Sequence, residues 1–497
     1  MNEPQLIKNK LPVWLKCILV LFPFIVACFR FRSIDNDFWF LYATGEYICK
    51  NGFPHTDFLS MHSDMKLVVQ QWLSTVIFYF FYSRLGKIGL FGLLYVCYAC
   101  ICTLTYRLNL LITKNELIAV VLAGISDFLI FNQLIVTRPQ TFTFAILLLE
   151  IFLLEKHAQS NKKRYLIGIP LVSLLLINIH ASMWPMLFVF MLPYIAGAIP
   201  VKFKKININI KAEGNILYLF AALAAGVLIG FANPYGTDNM FYLFSSYGQT
   251  QLNSTIAEML PTDIGTTIGK SLFGLIIIMG IIGFFYKKKA FSVRFFCLFL
   301  GTMLLALLHR KGTPYFFIFG ISSFSYMIKD LEIKLPEKIR TKITKRTEIM
   351  IAALLILITA GISADYLIKS LEAEPGKMAH YEQIDGAVEI LKKSEEPVVL
   401  YTNFNDGQYL EYKGFHSYID GRAELFLLQN NGEFDYYAEY YELRTAHTYY
   451  RDFTDKYQFN YLLVSGTSDR YLLMSLLYDD DFELVYENSG VYLFARK

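Results

Sequence analysis

The sequence predicts an α-helical polytopic membrane protein that ends in a compact α/β domain. Three observations predict it. More than half of the 497 residues are hydrophobic, and over the first three quarters they fall into apolar blocks of about 17–22 residues, the length that crosses a hydrocarbon core. Nearly every basic cluster between those blocks falls on one side when the blocks are counted as spans. After Glu372 the long apolar blocks stop, and short strand-like and helix-like segments take their place.

Apolar segments run roughly over 11–31, 88–106, 116–134, 140–155, 165–179, 183–199, 215–232, 268–286, 291–308, 313–328 and 348–367, which makes about eleven transmembrane helices. The first, from Leu11 to Phe31, is long and lacks a small-residue cleavage site, so it reads as an uncleaved span and not a removed signal peptide. Trp72 to Tyr82 is too short to span and reads as a helix lying at the membrane interface.

Cytoplasmic loops are rich in Lys and Arg. With Lys8, Lys10 and Lys16 inside, alternation puts Arg107, Lys114, Lys156, Lys162, Lys163 and Arg164 on the same side. Lys202, Lys204, Lys205, Lys287, Lys288, Lys289 and the basic run from Lys334 to Arg346 follow them. One missed span would scramble this pattern. The expected topology is a cytoplasmic N-terminus and a C-terminal domain outside.

The outward segments are then "RSIDNDFWFLYATGEYICKNGFPHTD" (Arg32 to Asp57), "VTRPQ" (Val136 to Gln140), "NIHASMW" (Asn178 to Trp184) and "NPYG" (Asn233 to Gly236). "IAEMLPTD" (Ile256 to Asp263), "LHRKGTPY" (Leu308 to Tyr315) and everything after Ile368 join them. Polar residues that interrupt apolar runs thus collect on one face, and charges near a membrane are costly and usually functional.

The expected domains are a transmembrane domain over 1–370 and an extracytoplasmic α/β domain over 371–497. In the latter, "QIDGAVEILKKS" has helical spacing, and helices are expected over Asp435 to Leu443 and Arg470 to Tyr478. "PVVLYTNF", "FHSYID", "FNYLLVS", "FELVYENS" and "VYLFARK" read as strands. The formal net charge is +4 with no basic stripe, which argues against a nucleic-acid partner. Cys17, Cys28, Cys97, Cys100, Cys102 and Cys297 lie in apolar segments and behave as small hydrophobes; no cysteine spacing suggests a metal site or disulfide framework.

Asp35 and Asp37 are the first candidate site residues. Asp-x-Asp can bring two carboxylates near one point, to bind a divalent cation through oxygen or to let one act as general base on an acceptor hydroxyl. The same residues suit a helix start, because Asp favours N-caps and the positive end of the helix dipole; a helix is expected from near Phe38 to Gly52. Arg138 in "TRPQ" is a cation suited to phosphate, or a snorkelling side chain beside a Pro139 turn. Arg310, with His309 and Lys311, makes a second outward cationic point. His180 is a ligand candidate or a hydrogen-bonding group of the fold. Trp72 in "QQWL", like Trp39 and Trp184, suits a headgroup-level anchor. Glu258 lies in an outer loop of the length that forms lids and would add a third acid to Asp35 and Asp37. Outward acids, outward arginines, interfacial helices and an external domain together suit an enzyme acting on a lipid phosphate.

"DNDFWFLYATGEYICKNGFPHTDFLS" followed by "QQWLSTVIFYFFYSRLG" resembles the first external loop of bacterial membrane proteins in the GT-C glycosyltransferase superfamily, of the dolichyl-phosphate-mannose-protein mannosyltransferase-like kind. Their form is Asp-x-Asp-x-Trp-Trp-His-Leu-x-x-Gly, then Gly-x-Pro-x-x-Asp-x-x-Ser, then Glu-Trp-Leu. "TRPQ", "NIHAS", "NPYG", "IAEMLP", "YIDGRAELF" (Tyr418 to Phe426) and "DKYQFNYLLV" follow in a familiar order. Phe40 and Tyr42 stand in the neighbourhood of the usual Trp-His pair, and Gln71 replaces the acid before Trp72.

The resemblance implies a GT-C-like membrane domain and a sugar taken from a polyprenyl-phosphate carrier at the outer face of a bacterial plasma membrane. The acceptor would be a cell-envelope glycan or lipid-linked molecule. It implies an acid in the first external loop as base, mapped onto Asp37 with Asp35 as alternative or partner, in an inverting single displacement. Arg138 and Arg310 would hold the leaving phosphate. A divalent cation, Mg or Mn, on Asp35 and Asp37 is the candidate cofactor, since some members use one and others do not. Three rival readings remain. A flippase for lipid-linked saccharides would carry polar groups at mid-membrane and often repeats, whereas these spans read as mostly clean. A polysaccharide polymerase or ligase would differ in donor size, and a non-catalytic scaffold for envelope assembly would keep the fold alone.

Overall fold

The computed structural model describes residues 34–62, 64–203, 208–210, 212–246, 257–287, 289–331 and 375–497, together with 11, 16, 19, 20 and 22. The expected span over 348–367, the basic run over 334–346 and almost all of the span over 11–31 lie outside these residues, as do Lys204, Lys205, Lys288, Cys17, Cys28 and Ile256. Contacts divide the chain into two compact units. One holds Met1–Arg30, Phe91–Met240 and Gly248–Leu367; the other holds Phe31–Leu90, Phe241–Tyr247 and Ile368–Lys497.

The first unit is a helical bundle. Its helices run over Glu116–Leu134, Gln140–Ser160, Gly168–Ile179, Trp184–Gly197, Ile216–Ile229, Thr267–Phe285 and Val293–Leu308. Thr313–Tyr315, Phe316–Gly320 and Ile321–Met327 follow one another, the middle piece a π turn. Each falls within a few residues of an apolar run in the sequence. Polar residues at the run ends set the starts: Asn115 accepts from the Leu117 and Ile118 N–H groups, Asn215 from Leu217 and Tyr218, and Thr266 from Gly269. Among the described residues, Trp72–Thr113 and Thr267–Phe285 are long and apolar enough to cross a membrane, while Ile216–Ile229 and Val293–Leu308 are apolar but shorter.

Charge clusters at one end of this bundle. Arg294 holds Glu155 through two hydrogen bonds of 2.9 Å and also bonds Glu213. Lys16 reaches Glu116 at 2.9 Å. A buried ion pair of this kind is costly to break, because the partner left behind is uncompensated.

The second unit joins the segment after residue 31 to the C-terminal residues. Its opening helix, Phe38–Asn51, is closed by Gly52 with φ of 87°, a left-handed position that favours glycine. Gly45 is required for another reason: a Cβ there would lie 2.2 Å from the Thr75 carbonyl oxygen, so the two helices meet backbone against backbone. The range Trp72–Thr113 holds two helices: the backbone leaves helical geometry at Gly86 (φ 58°, ψ −148°), so a short first helix opens at Trp72, as the sequence predicts, and a second follows to Thr113.

The C-terminal sheet has the order β3 (Leu400–Tyr401), β4 (Tyr461–Ser465), β6 (Val491–Arg496), β5 (Phe482–Asn488), where β1 (Val201–Phe203) and β2 (Ile208–Ile210) form a separate hairpin in the first unit. β3 runs parallel to β4, and the other pairs are antiparallel. The helices Pro375–Leu391, Tyr436–Arg444 and Arg470–Leu476 agree with the sequence reading. "FHSYID" is a correction. It forms no sheet strand; Ser417 makes single bridges to Ser60 and to Leu400 of β3, so its backbone is divided between residues 59–61 and the sheet.

Candidate functional site

The first group of site residues lies in the second unit, at the start of the Phe38–Asn51 helix. Asp37 occupies the cap position with φ −63° and ψ −18°, and its side chain makes no capping hydrogen bond. The helix-cap reading of Asp37 therefore fails. Asp35 does the local work instead, its Oδ1 accepting from the Asp37 N–H at 3.2 Å. Both acids are half-buried. Asn36, between them, accepts the Tyr381 hydroxyl at 2.5 Å. Gly421 lies against the Asp37 carboxylate: a Cβ there would be 3.1 Å from Asp37 Oδ1 and 3.3 Å from Gln408 Nε2. Gln408 in turn accepts the Gly421 N–H at 3.0 Å.

Behind this loop sits a buried ionic cluster that the sequence reading quoted but gave no role. Arg422 bonds Asp57 and takes Asp420 through Nε at 3.0 Å to each oxygen. Glu411 lies 3.8 Å from the same guanidinium and accepts the Ser417 hydroxyl. Burial opposes the charge on Asp57, yet Arg422 and the hydrogen bonds from Ser60 hold its carboxyl below the usual range. Burial, with Asp420 and Asp57 nearby, pushes the Glu411 carboxyl well above the usual range, against the pull of Arg422. The loop is stitched further by His62 Nε2 to the Tyr418 carbonyl (2.8 Å), His416 Nδ1 to the Leu59 carbonyl (3.0 Å) and the Met61 N–H to the Ser417 carbonyl (2.8 Å).

The second group lies in the first unit, where the remaining predicted loops meet one another. Arg138 reaches Glu258 at 3.3 Å. The Glu258 loop runs alongside the Arg310 loop: the Lys311 N–H donates to the Glu258 carbonyl, the Arg310 N–H to Leu260 and the Thr262 N–H to Leu307. His309 Nδ1 bonds the Met259 carbonyl at 2.7 Å. The Arg310 Nε is buried with no hydrogen-bond partner among the described residues. His180 is buried and shares a 2.8 Å hydrogen bond with Thr143, three residues past the helix start that follows Arg138. Burial pushes its pKa down to about 3, with Lys311 acting in the same sense, so the imidazole is neutral. Trp72 lies in the second unit, at the head of its helix, edge-on to Phe53 at 5.2 Å.

Across 98% of its length the chain superposes on the archaeal oligosaccharyltransferase AglB from Archaeoglobus fulgidus in complex with an inhibitory peptide and a dolichol-phosphate, covering 74% of that chain at 12% identity and a TM-score of 0.53. The chain has the GT-C fold. A second structure of the Archaeoglobus fulgidus oligosaccharyltransferase, tethered to an acceptor peptide, gives 13% identity over 97% of this chain and 74% of that one, with a TM-score of 0.49. ArnT from Cupriavidus metallidurans bound to undecaprenyl phosphate gives 10% identity over 97% of each chain, with a TM-score of 0.48. No protein-family model matches the chain, and no curated protein matches its sequence.

Within this fold the Asp35 carboxylate bonds the Asp37 backbone, and Arg138, Glu258 and the Arg310 loop are brought together. Among the described residues no group of three or more His, Cys, Asp or Glu is placed to hold a metal ion. Two carboxylates suit a magnesium-like ion that completes its shell with water and substrate phosphate. The residues that sequence reasoning missed are Asp57, Arg422, Tyr381, Gln408 and Gly421. Asp57 and Arg422 each carried a signal, a charged residue inside a quoted motif, but no local pattern pairs them. Tyr381 carried none.

Proposed function

We propose that the chain is a glycosyltransferase that moves a sugar from a polyprenyl-phosphate donor to a cell-envelope acceptor at the outer face of a bacterial plasma membrane. The observation that carries this reading is that Asp37 heads a helix it does not cap; an acid at a helix start normally spends its side chain there. Asp37 takes the proton of the acceptor hydroxyl, and that oxygen attacks the anomeric carbon. The bond from that carbon to the phosphate oxygen breaks, the polyprenyl phosphate leaves with the electron pair, and the centre inverts. Arg138 and Arg310 are the proposed cations for the phosphate, the buried and unsatisfied Nε of Arg310 favouring it as a ligand. Neutral His180 would add a hydrogen bond and no charge. A Mg or Mn ion held by Asp35 and Asp37 would help neutralise the phosphate, and no step above depends on it.

Transfer of radiolabelled sugar from undecaprenyl-phosphate glucose, galactose, mannose and N-acetylglucosamine, comparing wild type with Asp37→Asn and Asp35→Asn, tests this. Loss of transfer in folded Asp37→Asn supports it; full transfer in both variants overturns it. A second reading, transport of lipid-linked saccharides, gains one observation. Asp127 and Glu150 are fully buried inside helices of the first unit, and among the described residues the Glu150 carboxylate oxygens have no hydrogen-bond partner. Intramembrane acids of this kind mark substrate or proton paths in transporters. Asp127→Asn and Glu150→Gln that abolish vesicle translocation while Asp37→Asn does not would favour it.

A further inference from the structure

The reading of Asp37 as base leaves open what holds it, since its own side chain takes no bond from the helix it heads. The answer comes from the other end of the sequence. Tyr381 stands on the Pro375–Leu391 helix and donates its hydroxyl to Asn36 Oδ1 at 2.5 Å. Asn36 is the residue between the two acids, so this bond grips the Asp-x-Asp turn at its centre. The Tyr381 ring is itself held: it meets Trp39 edge-on at 5.6 Å and packs on Tyr409 at 4.5 Å. Trp39 is buried among Tyr381, Tyr409 and Tyr412, two residues past Asp37. Beside Tyr381, His380 bonds Asp406 at 2.7 Å, which fixes the helix that carries the phenol.

We infer that Tyr381 is a positioning residue for Asp37, so that the C-terminal segment completes the catalytic turn and is more than a support or an acceptor module. This rests on Asp37 being the base. The Tyr381 hydroxyl orients the turn through Asn36, while Gly421, lacking a side chain, leaves the Asp37 carboxylate its place. Burial raises the phenol's pKa, so it remains a proton donor to Asn36 at any physiological pH. The arrangement has the economy of a single hydrogen bond on a short turn. Displacing a reacting group by even an ångström costs a large factor in rate with little effect on stability.

The test uses the full-length protein in nanodiscs and two readouts. The first is carboxyl labelling by carbodiimide and glycine ethyl ester, resolved at Asp35 and Asp37 by tandem mass spectrometry, which needs no donor. Tyr381→Phe keeps the ring and removes only the hydroxyl; Tyr478→Phe, at a residue 84% exposed, is the control. Labelling of Asp37 is expected to rise about threefold in Tyr381→Phe with an unchanged melting temperature, and to stay at the wild-type level in Tyr478→Phe. The second readout is transfer from the four undecaprenyl-phosphate sugars. There kcat is expected to fall about tenfold with KM within twofold, the mark of a misplaced reacting group. Unchanged labelling in a folded Tyr381→Phe variant overturns the inference. Raised labelling together with full activity in Asp37→Asn leaves the positioning contact standing and removes Asp37 as base, so the two failures are distinct.

Discussion

Asp57 and Arg422 stand 365 residues apart in the chain and form a buried ion pair, the guanidinium Nη2 lying 3.3 Å from Asp57 Oδ2 beside a shorter contact at Oδ1. Asp57 belongs to "GFPHTDFLS" and Arg422 to "YIDGRAELF". The pair turns two distant motifs into one element. It gives two residues of "GFPHTDFLS" a role: Asp57 meets Arg422, and the Ser60 N–H donates to Asp57 Oδ2 at 2.9 Å.

Removing the cation should be worse than removing one acid. Arg422→Met leaves Asp57, Asp420 and Glu411 buried together and is expected to cost roughly 3–5 kcal/mol. Asp57→Asn should cost less, because Asp420 stays on the guanidinium. Melting curves in one detergent check the order. An Arg422→Met variant that melts with wild type contradicts it.

Acid should weaken the same region through His62. Its ring is buried, stacks on Tyr436 at 3.7 Å and donates to the Tyr418 carbonyl. Burial pushes its pKa down from 6.5 to about 4, with the Tyr418 bond and Asp57 opposing. The unfolded chain therefore takes up the proton first. The stability contribution is complete above the unfolded pKa and is lost as pH falls towards the folded one, at most about 3 kcal/mol. His62→Gln should melt with a flatter pH dependence between pH 7 and 4.5; a slope equal to wild type contradicts the account.

A methyl group at Gly45 has nowhere to go, because its neighbour is the Thr75 backbone oxygen. Gly45→Ala is expected to destabilise by about 1–3 kcal/mol. Gly421→Ala is different, since its nearest neighbours are the ends of two side chains, Asp37 and Gln408. That variant should fold and lose transfer. A fully active Gly421→Ala would remove the close approach from the account.

The Arg138–Glu258 pair is partly exposed, with side chains 26% and 51% accessible. Such a pair is worth about 0–1 kcal/mol. Arg138→Gln should therefore leave the melting temperature nearly unchanged while raising KM for the lipid donor. A large drop in stability with unaltered KM would make Arg138 a structural residue.

Much of the bundle was legible because the long helices described in the first unit coincide with apolar runs, and because Asn115, Asn215 and Thr266 mark starts that physics favours. The break at Gly86 was legible, since Ser83, Arg84 and Lys87 interrupt the apolar pattern where the backbone leaves the helix. "FHSYID" misled: its alternation suits a strand, but what its backbone pairs with is decided in part by residues 59–61, far away in sequence. Asp37 and Asp35 were visible as a pair, whereas which of them serves the turn depended on backbone angles. Tyr381 and Arg422 were invisible as partners, because contacts over 345 and 365 positions leave no local periodicity.

The most direct test of the central claim is transfer of labelled sugar from undecaprenyl-phosphate donors by purified Asp37→Asn protein. The account predicts a folded variant whose transfer is reduced by a factor of about a hundred or more, within the range contributed by a general base. Transfer at the wild-type rate by that variant would contradict it.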